Sequence, residues 1–117
     1  MKNERTDRVI LQKIVGYCDT ISELTERFGK TFDNYVSDNA FQLSCSMCII
    51  QIGELTTRLS NDFIARHSDV PWREIKAMRN IHAHDYENVD LSTMWETLTE
   101  DIPKLRDSLK YILDDAQ

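Results

Sequence analysis

The stretch Asn39–Leu59, NAFQLSCSMCIIQIGELTTRL, decides the fold. Phe41, Leu43, Met47, Cys48, Ile50, Ile52 and Leu55 follow helical rather than alternating spacing. They cover an arc so wide that the helix must be packed on more than one side, which puts it at the centre of a bundle. Asn39 is the expected N-cap, and the helix is expected from Ala40 to about Leu59.

Working outward, a first helix is expected from Arg5 to Arg27, burying Val9, Ile10, Ile14, Tyr17, Ile21, Leu24 and Phe28, with Gly29 as its C-cap. Phe32, Tyr35 and Val36 belong to a loop or short helical turn, and another short segment lies around Phe63 and Ile64. Val70-Pro71 opens a third helix, with the proline at the first position, where a missing N–H costs nothing. The last helix runs from Ser92 to Leu113 through Met94, Trp95, Leu98, Ile102, Leu105, Leu109 and Ile112, and Pro103 should kink it. With only three glycines and two prolines to interrupt it, the chain reads as all-α. The expected architecture is an antiparallel four-helix up-and-down bundle with short extra helical turns, one domain over residues 1–117.

No basic-plus-apolar leader and no membrane-length apolar run is evident, and the three cysteines fit a reducing compartment better than a disulfide framework. A cytoplasmic location is expected. Cys45 and Cys48 form a C-x-x-C without the βαβ setting of a redox pair, so both read as small buried hydrophobes. A net charge of -6 and a pI near 5.0 oppose broad nonspecific nucleic-acid binding, because that binding neutralises many phosphates. Any such contact must be local, and Arg66, His67, Arg73, Lys76, Arg79, His82 and His84 supply the richest local cationic run.

That run ends in Met78-Arg79-Asn80-Ile81-His82-Ala83-His84-Asp85-Tyr86. Arginine grips a phosphate through a planar fork of donors, and histidine moves protons near neutral pH, so the set suits phosphodiester chemistry. On a continuous helix Asn80 and His84 are neighbours, whereas Arg79 and His84 stand about 140° apart. To meet, either the helix ends near Ala83 or two copies of the chain face each other across a twofold axis. His82 shares a side with Trp72 and Ile75, which favours a buried supporting role. Glu54 is the candidate ion-pair partner of Arg79 or Arg73.

Arg79-Asn80, three residues, His84, one residue and Tyr86 resemble the R-N-x3-H-x-Y signature of the HepT-like branch of the HEPN superfamily. Ile52-Gly53-Glu54, Val70-Pro71-Trp72-Arg73-Glu74-Ile75, Val89-Asp90, Trp95 and Asp101-Ile102-Pro103-Lys104-Leu105 extend the likeness over most of the chain. The resemblance implies a dimerising HEPN-like bundle and a ribonuclease toxin that needs no metal or cofactor, acting on RNA with tRNA a candidate. Its R-x4-H-x-Y site would form at the homodimer interface from Arg79, Asn80 and His84, with Glu54 and His82 in support. It further implies an MntA-like nucleotidyltransferase antitoxin that transfers AMP to Tyr86. Two other readings compete. His82, His84 and Asp85 could be metal ligands, although an H-x-H on a helix splays its rings. Alternatively, the chain is a noncatalytic HEPN module that binds a nucleotidyltransferase or a nucleotide.

Overall fold

In the computed structural model, which describes residues 2–115, α1 spans Lys2–Phe28, α2 Phe32–Ser37, α3 Asn39–Thr56 and α4 Asn61–Arg66. Helix α5 spans Trp72–His84, α6 Leu91–Glu96 and α7 Ile102–Asp115, with a 3-10 turn at Tyr86–Asn88 and a π turn at Thr97–Asp101. No strand occurs among the described residues; positions 1, 116 and 117 of the expected domain lie outside them. Helix α3 packs between α1 and α5, and α7 packs on α1. Joined by the π turn, α6 and α7 act as the fourth long element of an all-α bundle.

Phe41, Cys45, Ile49 and Ile52 of α3 are almost wholly buried, together with Ile14 and Ile21 of α1 and Leu109 of α7. Leu43 and Met47, expected in that core, instead lie 55% exposed on the outer face of α3, and Ile50 is half-buried. The cap also moves by one residue. Asp38, not Asn39, accepts from the Ala40 and Phe41 N–H groups at 2.9 and 3.3 Å, so the helix already includes Asn39.

On α1 the buried register is Asp7, Ile10, Leu11, Ile14, Val15, Cys18 and Ile21, and Val9 is 45% exposed. Asp7 hides that register, because a carboxylate holds a core position. It accepts from Ser60 N at 2.8 Å and Ser60 Oγ at 2.6 Å, and Ser60 in turn caps α4. Gly29 ends α1 at a φ of 93°, a left-handed conformation that favours glycine.

Pro71 is the N-cap of α5 rather than its first helical residue, and its carbonyl accepts from Ile75 N at 3.1 Å. Trp72 anchors that end by donating its indole N–H to His67 O at 2.9 Å. The kink expected at Pro103 takes the form of the π turn: Ile102 N–H reaches back five residues to Thr97 O, which loosens the ladder just before a ring that cannot donate. No helix among the described residues is long and apolar enough to cross a membrane.

Candidate active site

Helix α5 is unbroken through His84, and the first backbone N–H beyond it, that of Asp85, still bonds Ile81 O at 2.8 Å. The helix thus ends one residue past Ala83, and because His84 still lies within its last turn, the helical separation of Arg79 and His84 is kept. Arg79 turns inward against α3, where the chain has Gly53. A methyl there would run into Arg79 Cβ and stand 2.6 Å from its Cγ and 3.5 Å from its Cα. Glycine thus brings α5 close enough for Arg79 Nε to sit 3.3 Å from Glu54 Oε1. The approach is off the hydrogen-bond axis, so the pair is held by charge while the buried Nε–H makes no hydrogen bond among the described residues.

His84 ends α5 exposed to solvent. Asn80 is also exposed, and no hydrogen bond joins its amide to the His84 ring, although continuity of the helix makes them neighbours. Tyr86 begins the 3-10 turn half-buried, with its ring centroid 6.4 Å from that of His82. Asp85 beside it accepts from the Asn88 amide at 2.7 Å.

His82 is 5% exposed, and its Nδ1 shares a 2.9 Å hydrogen bond with Ser46 Oγ of α3. Burial pushes its pKa down from the ordinary 6.5. The unfolded chain therefore takes up a proton at a pH where the folded one does not. The contribution of His82 to stability is fully present above pH 6.5 and is lost as the pH drops through 6.5 towards the folded value, by at most about 1.4 kcal/mol per pH unit. Urea unfolding at a series of pH values should show this slope in the wild type and lose it in His82→Gln; an unchanged slope in the variant would assign it to another group.

The two imidazoles occupy unlike settings, one buried on Ser46 and one open to water. Among the described residues no three or more His, Cys, Asp or Glu side chains gather as a metal-ligand set. Cys45 and Cys48 are free and buried, and burial, then the charge of Cys48, pushes the Cys45 thiol up to about 12. Neither is poised as a thiolate nucleophile. Arg73 is exposed and Glu54 pairs with Arg79, which resolves the alternative left open by the sequence.

Two residues that shape this region carried little signal. Ser46, the partner of His82, is a small polar residue within an apolar helix face, a pattern that also fits simple packing. Tyr35 of α2 is fully buried, edge-on to Phe41 at 5.2 Å, and its hydroxyl has no hydrogen-bond partner among the described residues. Burial raises its phenol pKa, with further contributions from Cys45 and Tyr86.

Compared with known proteins, the chain matches the family described as Ribonuclease HepT-like over residues 17–112. It is 32% identical over 103 residues to a protein of Thermococcus cleftensis named "Probable ribonuclease HepT", covering 88% of this chain and 92% of that one. A relative from Caldanaerobacter subterraneus subsp. tengcongensis, whose name marks it as a candidate RNase, is 33% identical over 109 residues, 93% and 96% of the two chains. A candidate RNase of Methanocaldococcus jannaschii is 25% identical over 114 residues, 97% of each chain. No solved structure matches.

Proposed function

Because the chain belongs to the Ribonuclease HepT-like family, we propose that it is a metal-independent endoribonuclease, the toxin of a toxin–antitoxin pair, whose R-x4-H-x-Y site is completed between two copies. The observation that carries this reading is the unbroken α5, which holds Arg79 and His84 of one protomer about 140° apart. One copy then supplies the arginine and the other the histidine. Leu43 and Met47, both 55% exposed, and Ile81, 44% exposed, give α3 and α5 apolar surface for a second copy.

In this mechanism His84 takes the proton of an RNA 2′-hydroxyl, the freed oxygen attacks the adjacent phosphorus, and the bond to the 5′-oxygen breaks. The leaving oxygen picks up a proton, giving a 2′,3′-cyclic phosphate and a 5′-hydroxyl end. Arg79 holds the phosphate and balances its developing charge, and Asn80, one turn before His84 on the same face, is placed to bond the imidazole once RNA is bound. Glu54 holds Arg79 in place, and His82 braces α5 through Ser46. The attacking group belongs to the substrate, so the step requires no metal-bound water.

Tyr86 is the proposed acceptor for AMP from an MntA-like nucleotidyltransferase antitoxin. Its phenolic oxygen would attack the α-phosphorus of ATP and release pyrophosphate, placing a bulky anion two residues from His84. A half-buried ring whose hydroxyl makes no hydrogen bond among the described residues supports that role. The noncatalytic reading draws on the net charge of -6 and on the neutralisation of Arg79 by Glu54.

Cleavage of end-labelled tRNA in EDTA tests the two. Wild type should cut, His84→Ala should lose about a thousandfold, and His82→Gln should keep most of the rate. A folded, unmodified wild type that cuts no RNA would establish the binding module instead.

A further inference from the structure

Arg73, Lys76, Asn80 and His84 are spaced by three and four residues and so share one face of α5, about 80° wide. All four are exposed, and among the described residues none has a side-chain hydrogen bond or ion pair. Lys30, Arg66, Arg79, Arg106 and Lys110 pair with carboxylates and Arg8 donates to Leu113 O, while the other cations unpaired among the described residues, such as Lys13, Arg27, Arg58 and Lys104, lie outside α5, the helix that carries His84. Glu74 lies about 100° round from Arg73, in the groove that Met78 shares with Ile102 and Leu105.

In a protein of net charge -6, two free cations in line with a proton-transfer residue form a local attraction for a polyanion. From Arg73 to His84 the face runs about 16 Å along the helix axis, enough for several phosphates of an extended strand. We propose that Arg73 and Lys76 form a track for the RNA backbone, gripping phosphates beside the one cleaved and leading the strand to His84. The track rests on the ribonuclease reading. It takes nucleic acid through phosphates rather than bases, so it sets affinity and register with little sequence preference.

The test uses a fluorescein-labelled oligouridylate. Binding to the His84→Ala protein across about 50–200 mM salt gives the number of phosphates neutralised, with a log–log slope of about 0.7 per contact for a single strand. Adding Arg73→Gln and Lys76→Gln should flatten the slope by about 1.4. In the His84 background, the same pair should raise KM about tenfold near physiological salt while changing kcat less than about twofold. Each single variant should give about half the change in slope, and Arg73→Lys with Lys76→Arg should restore it. If RNA is cut but slope and KM do not move, the track is overturned while the ribonuclease reading stands, and the two cations belong to an acidic protein surface. If wild type neither binds nor cuts RNA, both are overturned.

Discussion

A one-to-one mixture of Arg79→Ala and His84→Ala proteins, unfolded and refolded together, is expected to recover about a quarter of the wild-type rate of RNA cleavage. Each variant alone should be about a thousandfold slower than wild type, because each lacks a group that acts in the transition state. The recovery follows from symmetry. If Arg79 of one copy works with His84 of the other, a mixed dimer concentrates both defects in one site and leaves the second site intact. Half of the dimers are mixed after random pairing, and each keeps one of two sites. Were the site built within one protomer, no dimer in the mixture would hold an intact one, and the rate would stay at the level of the separate variants. The unbroken α5 makes the first result the expected one.

Gly53→Ala is expected to destabilise the fold by about 2 kcal/mol and to cost most of the activity. Two effects oppose each other here. Alanine is favoured over glycine inside a helix by about 1 kcal/mol. Against that, the added methyl meets the root of Arg79, with Cγ at 2.6 Å and the backbone Cα at 3.5 Å, so a rotamer change cannot relieve the clash. Helix α5 has to move away from α3, and overpacking of this kind costs about 1–3 kcal/mol. The shift also carries Arg79 away from Glu54. Urea unfolding should show a lower midpoint with an unchanged slope; a midpoint at or above wild type would mean that α3 and α5 separate without loss.

Much of the bundle was legible because helical periodicity survives local error. The misreadings have definite physical causes. Asp7 breaks the apolar stripe of α1, so the pattern shifts to include Val9 and omit Leu11; only the fold reveals that Ser60 satisfies its carboxylate. Asp38 and Asn39 are both good caps, and the choice rests on backbone geometry that residue type does not encode. The apolar look of Leu43 and Met47 reported burial, yet the protomer leaves them on its surface. Before Pro103 the apolar residues Met94, Leu98 and Ile102 recur at intervals of four, which an ideal helix would carry progressively off one face; the wider π turn keeps them aligned. At the site, Arg79, His84 and Tyr86 stood out by type and spacing. Gly53 stood out only through resemblance, because a close helix approach is visible in three dimensions and not in periodicity. Ser46 and Tyr35 were silent, since each meets a partner far away in the chain, Ser46 the His82 ring 36 positions on and Tyr35 the Trp95 ring at 5.5 Å.

The first turns of the chain are secured by what comes much later. Asp7 holds Ser60, 53 positions on, and Arg8 donates to the carbonyl of Leu113, 105 positions on. During synthesis α1 is therefore made first but fastened last. While the final helix is still inside the ribosome, Leu113 cannot accept from Arg8, and one end of the bundle stays open. That end closes once α7 has emerged, so until then α1 rests on α3 without its second neighbour.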